Sequence, residues 1–261
     1  MSEEVTPVEI AKYAAARKAV EYVEDGMRLG LGTGSTAAKM VQLLGERVRE
    51  EGLKVVGVPT SERTAALARE VGVPIATLDE VHWLDLTIDG ADEFDPQFNL
   101  IKGGGGALLR EKIVATASDR MIVITDVSKE VEHLGAFPLP IEVVRFGWQT
   151  TKALIEEALI NLDVMDRVGT LRLDRDAPFL TDEGHHILDF HLRRIGNPRQ
   201  LSLVLNQIPG VVENGLFIDI CDVVIIGRGD GAVEVRDINN GIVESDRVEI
   251  GESDNIFRDL G

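Results

Sequence analysis

The stretch between residues 27 and 49 most narrows what this chain can fold into. Met27 to Leu31 reads as a short buried strand that runs into Gly32-Thr33-Gly34-Ser35-Thr36, after which Ala37 to Arg49 resumes helical spacing. Strand, glycine-rich turn and helix in that order present backbone N–H groups and hydroxyls at a helix N-terminus, where the dipole favours an anion. The alternation then repeats. Lys54 to Val58 reads as strand, Thr60 to Val71 as helix, Leu84 to Ile88 as strand, 107 to 117 as helix and Met121 to Thr125 as strand, after an opening Ala-rich helix over 8 to 24. Successive units of this kind predict an α/β fold with a doubly wound, mostly parallel (Rossmann-like) sheet and ligands at the carboxyl ends of its strands.

From about Gly135 the pattern changes. Phe137-Pro138-Leu139-Pro140 breaks it, Ile141 to Val144 and Val168 to Leu173 look like strands around a helix at 148 to 161, His186 to Phe190 is another strand and Leu201 to Gln207 a helix. These make a smaller, inserted α+β domain. The apolar stretch Gly215 to Ile226 suits a return to the central sheet. The expected division is therefore residues 1–133 with 220–261 for the larger domain and 134–219 for the smaller. The tail after Gly227 is polar with short alternations, and 251 to 261 is expected to be mobile.

Composition excludes several classes of function. Asp and Glu number 45 against 27 Lys and Arg, a formal net charge of −18, and eight of the cations are lysines. A surface this acidic repels a phosphate backbone and no basic stripe interrupts it, so no nucleic-acid partner is expected. Any anionic substrate must be drawn in by a local cluster of cations and amides. Such a composition also suits a protein that stays hydrated in high salt. No run approaches the roughly 20 apolar residues of a membrane span, and MSEEVTPVEI has neither the basic nor the apolar region of a secretory signal. No membrane association is expected, and a cytoplasmic location follows. Cys221 alone forms no intramolecular disulfide and is expected to be a buried strand residue.

Three motif segments carry the chemistry: Gly30 to Thr36 (GLGTGST), Thr87 to Glu93 (TIDGADE) and Ile101 to Lys112 (IKGGGGALLREK). Glu111, Lys102 and the glycines Gly103 to Gly106 fall within ten residues of one another. If a helix starts near Ala107, Glu111 lies about one turn in, near the glycine run. A carboxylate, a lysine and an amide-rich loop suffice to move a proton between adjacent carbons while holding the oxyanion that develops. Four consecutive glycines are costly in conformational entropy, which points to close backbone approach to a ligand. Asp89 and Asp92 flank Gly90-Ala91 at a strand end, where adjacent carboxylates raise one another's pKa or simply cap a turn. Thr36 could equally be a helix cap.

With Thr125 to Lys129 (TDVSK), Leu134 to Val144 (LGAFPLPIEVV) and Ile208 to Phe217 (IPGVVENGLF), these segments together resemble the A-type ribose-5-phosphate isomerases over roughly residues 8 to 230. The resemblance implies interconversion of ribose 5-phosphate and ribulose 5-phosphate through ring opening and an enediolate, with no cofactor and no metal. It implies Glu111 as general base, with Asp89, Asp92 and Lys102 serving ring opening and hydroxyl binding. The phosphate would lie on Thr33, Gly34, Ser35 and Thr36. Further substrate contacts would fall on Gly90, Ala91, Gly103, Gly104 and Gly105, on Lys129 and, by spacing from the glycine turn, on Lys12. Family members assemble as homodimers or homotetramers.

Two rivals make different demands. A non-catalytic sugar-phosphate sensor would carry a DNA-binding module and lose the acid–base residues, whereas Asp89, Asp92, Lys102 and Glu111 are all present. An amino-sugar-phosphate deaminase or lactonase would need a histidine-centred motif. His185-His186, in TDEGHHILDFH, departs from the family pattern, but adjacent strand side chains point to opposite faces and make a poor metal site. His82, His133 and His191 have no ligand-spaced partners that stand out.

Overall fold

The computed structural model describes residues 6–248; the tail over 251 to 261 lies outside them. Along the chain the elements are α1 (Pro7–Val20), β1 (Arg28–Leu31), α2 (Ser35–Glu50), β2 (Val56–Pro59), α3 (Glu62–Glu70), α4 (Leu78–Val81), β3 (Leu86–Gly90), β4 (Glu93–Phe94), β5 (Leu100–Ile101), α5 (Leu108–Thr116) and β6 (Met121–Asp126). There follow β7 (Leu139–Val143), α6 (Trp148–Ala158), β8 (Val168–Leu171), β9 (Leu173–Asp174), β10 (Ala177–Pro178), β11 (His186–His191), α7 (Pro198–Leu205), β12 (Val211–Asn214), β13 (Leu216–Phe217), β14 (Val223–Gly227), β15 (Ala232–Asp237) and β16 (Gly241–Arg247). No helix among the described residues is long and apolar enough to cross a membrane.

The chain divides into two compact units. The first takes residues 1–90, 114–128 and 222–261, and the second 91–113 and 129–221. In the first, one seven-stranded sheet has the order β16-β15-β14-β6-β3-β1-β2. Its five strands from β14 to β2 are parallel, while β15 and β16 add an antiparallel edge. Counted among the parallel strands alone, the order is 2-1-3-4-5, which reverses direction between β1 and β3; ligands in such sheets bind outside the carboxyl ends at that reversal. The central strands are buried on both faces, so Met121 to Ile124 and Val223 to Ile226 read as unbroken apolar runs. Helix α1 closes one face with Ala14, Ala15, Ala16 and Ala19, all fully buried, small enough to let the helix approach the sheet closely. It starts at a Thr6 cap, whose side chain accepts from Glu9 N, with Pro7 in the first turn, and ends four residues before the expected Glu24.

The second unit holds a four-stranded antiparallel sheet, β12-β7-β11-β8, and a three-stranded one, β13-β5-β4. Its core is built from Leu139, Ile141, Val143, Leu188 and Phe190 of the sheet with Ile155, Leu201 and Leu205 of α6 and α7. Two placements differ from the sequence expectation. Residues 91–113, expected with the larger domain, pack in the second unit because β4 and β5 form a hairpin that pairs with β13: Glu93 opposes Ile101, and Leu100 opposes Phe217. Of the apolar stretch 215–226, only Val223 onward enters the large sheet. Asp219 takes a positive φ of 58°, which interrupts the extended chain between β13 and β14.

Candidate active site

In the first unit the motif turn leaves β1 at the sheet's reversal point. Gly32 N–H donates to Ile88 O of β3 at 3.0 Å, and Thr33 N–H donates to Asp89 Oδ1, also at 3.0 Å. The same Oδ1 accepts Gly90 N–H at 2.7 Å. Asp89 is fully buried, so its carboxylate shapes the turn as a cap would. Gly32 is required by that proximity: a Cβ there would lie 2.2 Å from Asp89 Oδ1 and 2.5 Å from Asp89 Cα. Gly34, at φ 115°, forms the N-cap of α2 and makes no side-chain cap. The first N–H groups of an α-helix lack intrahelical partners, and here they stand beside the exposed Ser35 and half-buried Thr36.

Thr33 behaves differently from its neighbours. Its hydroxyl is buried among Thr60 Oγ1 (2.7 Å), Ser61 Oγ (2.9 Å) and Thr64 Oγ1 (3.2 Å), and Thr64 closes the set by donating to Gly32 O at 3.0 Å. Sequence reasoning saw Thr60 and Ser61 only as the opening of a helix. Ser61 does cap α3 by accepting Thr64 N–H at 3.1 Å, and the hydroxyl cluster is a second use of the same residues.

In the second unit Asp92 N–H donates to Ile101 O at 2.8 Å across the β4–β5 hairpin, and Lys102 N–H to Gly215 O at 2.9 Å. Lys102 and Glu111 come together: Nζ and Oε1 are 3.5 Å apart, with the side chains 2% and 5% exposed. Glu111 sits in the first turn of α5, its N–H bonded to Ala107 O at 2.9 Å. The ring of Phe217 lies against both Lys102 Nζ (5.4 Å to the centroid) and Lys112 Nζ (5.0 Å), within range of a cation–π attraction. Gly103 adopts φ 108°, a left-handed conformation that a side chain would strain. Gly104 N–H donates to Asp92 Oδ2 at 2.7 Å, and Gly104 and Gly105 are exposed.

The remaining predicted residues have partners of their own. Lys12 pairs with Glu9 Oε1 at 2.9 Å, and Lys39 takes Glu9 Oε2 at 2.9 Å. Burial pushes the Glu9 carboxyl up, but the two lysines outweigh it and hold it below its ordinary range. Lys129 ends a short 3₁₀ turn over Val127–Lys129 and bears electrostatically on the buried Glu93. That carboxyl is raised by burial, even though the N–H groups of Gly135 (2.7 Å) and Phe137 (2.5 Å) donate to it. Lys112 is held by Glu213 Oε1 (2.8 Å) and Asn214 O (2.6 Å), with burial pulling its ammonium below its usual range. His185 and His186 separate as expected: His185 Nδ1 lies 2.9 Å from Glu142 Oε1, while His186 stands edge-on to Trp148. Among the described residues no cluster of three or more His, Cys, Asp or Glu could hold a metal. Cys221 is buried, just before β14 rather than within a strand.

A family model described as ribose 5-phosphate isomerase A (phosphoriboisomerase A) matches residues 56–231. The chain belongs to that family. A ribose-5-phosphate isomerase A of Ruegeria sp. (strain TM1040) is 70% identical over 260 residues, spanning 100% of this chain and 99% of that protein. A solved D-ribose-5-phosphate isomerase in complex with phospho-erythronic acid is 41% identical, covers 92% of this chain and 99% of its own, and superposes with a TM-score of 0.79. The ribose 5-phosphate isomerase from Plasmodium falciparum reaches a TM-score of 0.83 at 36% identity, over 88% of this chain and 98% of that one. The doubly wound α/β fold expected from the sequence is thus the fold of this isomerase family.

Proposed function

We propose that this chain interconverts D-ribose 5-phosphate and D-ribulose 5-phosphate, with Glu111 as the base. The observation that carries the reading is the buried Lys102–Glu111 pair, whose members flank a glycine run, Lys102 just before it and Glu111 about one helical turn after it. In the forward direction, ring opening moves the proton of the anomeric hydroxyl to the ring oxygen and leaves a C1 aldehyde. Glu111 then takes the C2 proton, and the C–H electron pair forms the C1=C2 bond of an enediolate with negative charge on O1. A proton passes from O2 to O1, and the protonated Glu111 returns its proton to C1, leaving the C2 ketone. Lys102 and the amides of Gly103 and Gly105 stabilise the enediolate oxygens, while the Gly104 N–H holds Asp92. Asp92, half-buried and at the edge of that run, assists ring opening with Lys102, while Asp89 acts chiefly by holding the Thr33 turn and Gly90-Ala91. The amino end of α2, with Gly34, Ser35 and Thr36, takes the phosphate, and Lys129 and Lys12 add positive charge. Carboxylate, ammonium and amides supply everything this proton transfer requires. The ligand of the solved relative supports the reading, since phospho-erythronic acid carries a phosphate and a planar carboxylate shaped like an enediolate.

The test is formation of ribulose 5-phosphate from ribose 5-phosphate with EDTA present, comparing wild type with Glu111→Gln. Turnover in the wild type and a loss of about a thousandfold or more in kcat in the variant, with substrate still bound, are expected. A folded wild type that binds ribose 5-phosphate and never isomerises it would instead make the chain a sensor. We further place the protein in the cytoplasm as a homodimer or homotetramer, adapted to high salt. The exposed apolar side chains Phe146, Ile160, Met165 and Leu203 of the second unit are of the kind that subunit contacts cover.

A further inference from the structure

We propose that Arg172, which belongs to none of the motif segments, is a positioning residue for the isomerisation: it holds two peptide planes of the glycine run so that the Gly105 N–H faces the reacting oxygens while the Gly104 N–H fixes Asp92. The inference rests on the function proposed above. One guanidinium nitrogen, Nη1, donates both to Gly103 O at 2.8 Å and to Gly104 O at 3.1 Å. In a trans peptide the N–H points opposite to the C=O. Capturing these two carbonyls therefore turns the N–H groups of Gly104 and Gly105 away from Arg172. The Gly104 N–H runs to Asp92 Oδ2 at 2.7 Å, and the Gly105 plane, pinned by the same nitrogen, presents its N–H from an exposed stretch of the loop.

Such a run needs fastening. Backbone ordering costs about 1–2 kcal/mol per residue, and glycine pays the most, so a glycine loop without anchors samples many orientations of its amides. Arg172 is itself fixed. Its Nε donates to Asp189 Oδ2 at 2.9 Å and its Nη2 to Oδ1 at 2.5 Å, a two-pronged pair on the central strand β11. Its guanidinium lies 5.9 Å from the Phe179 ring centroid. The same ring fills the space over Gly106, where a Cβ would meet Phe179 Cζ at 2.4 Å. The run is thus tied at Gly103, Gly104 and Gly106 to one hairpin and one strand. A cation bonded to two amide carbonyls also polarises those amides and makes their N–H groups better donors. Lysine cannot reproduce the arrangement, because the fork must reach a carboxylate and two carbonyls at once.

The experiment measures kcat, KM and two ligand affinities in wild type and Arg172→Ala. The ligands are 4-phospho-D-erythronate, anionic where the enediolate is, and D-ribitol 5-phosphate, neutral there, both followed by titration calorimetry. The expected result is a fall in kcat of about 10- to 100-fold with KM within about threefold. Phospho-erythronate should weaken by the same factor as kcat, and ribitol phosphate by less than about threefold. A merely structural role would weaken both ligands alike, and that result, or an unchanged kcat, overturns the inference. Should Arg172→Ala not fold, Arg172→Lys and Asp189→Asn decide, with a several-fold loss of kcat expected in each and wild-type kcat in both overturning it. A wild type without turnover sinks the isomerase reading itself, whereas turnover in wild type alongside an indifferent Arg172→Ala sinks only the positioning role.

Discussion

Gly32→Ala puts a single methyl group at the point where β1 gives way to the glycine turn, and the structure sets its cost. The new Cβ would lie 2.2 Å from Asp89 Oδ1, 2.4 Å from Asp89 Cγ and 2.5 Å from Asp89 Cα. Rotating the Asp89 side chain relieves the first two contacts and leaves the third, which is main chain. An ordinary carbon–carbon contact of roughly 3.5–4.0 Å requires β1 and β3 to separate locally by about 1 Å. That movement stretches Gly32 N–H to Ile88 O and Thr33 N–H to Asp89 Oδ1, both now 3.0 Å. Overpacking of this kind costs about 1–3 kcal/mol, and weakening one neutral and one charge-assisted hydrogen bond adds about 1–2 kcal/mol more, for a total of about 2–5 kcal/mol. Urea unfolding of wild type and variant gives the difference directly. Gly90→Ala, where a Cβ would meet nothing closer than Ile124 O at 3.9 Å, should cost less than about 1 kcal/mol in the same assay. If Gly32→Ala unfolds within about 1 kcal/mol of wild type, the close approach of Asp89 to the turn is not what demands glycine there, and the reasoning fails.

Two further outcomes follow from charge. Burial raises the Glu142 carboxyl above its ordinary value of 4.5, more than its hydrogen bonds from His185 and Thr181 lower it, and its Oε2 is buried with no hydrogen-bond partner. The native state then holds a proton that the unfolded chain releases above pH 4.5, so this group's stabilising contribution is full below that value and is lost as pH rises through the raised one. Melting temperatures of wild type relative to Glu142→Gln should therefore decline from pH 4.5 upward, and parallel curves would refute the assignment. With a net charge of −18, raising KCl from 0.1 to 1 M shortens the screening length from about 10 to about 3 Å and should raise the unfolding midpoint; a flat or falling midpoint would rule out adaptation to salt.

How far the fold was legible in the sequence depended on how local its causes were. The parallel strands announced themselves because burial on both faces makes them continuous apolar runs, as at Met121 to Ile124, and the helices between them carry their own caps, such as Ser61 before α3. The hairpin of β4 and β5 did not, since each strand is two residues long and is held by pairing with β13, more than a hundred residues away. That is why residues 91–113 fell on the other side of the expected domain boundary. Arg172 was invisible for a similar reason: an arginine in a short strand pattern reads as solvated surface until Gly103, Gly104 and Asp189 are seen around it. The Lys102–Glu111 pair was legible because a glycine run and one helical turn fix their separation locally.

Within each motif, geometry separates residues that a pattern treats alike. In Gly30 to Thr36, Gly32 and Thr33 are engaged inward, the one against Asp89 and the other in a buried set of hydroxyls, while Gly34, Ser35 and Thr36 stand at the amino end of α2. In Thr87 to Glu93, Asp89 is fully buried and Glu93 is tied to two backbone N–H groups, so Asp92 is the carboxylate placed beside the glycine run. In Ile101 to Lys112, the adjacent residues Glu111 and Lys112 are both engaged within the fold, with different partners: Glu111 faces Lys102, while Lys112 is bonded to Glu213 and Asn214. Buried polar groups that lack partners cost about 1–3 kcal/mol each, so the inward-facing members have to be satisfied by the fold before the outward-facing ones can be presented to a substrate. Removing an inward member, as at Gly32, should therefore appear first as lost stability, whereas changing the exposed Ser35 should leave the unfolding curve unmoved.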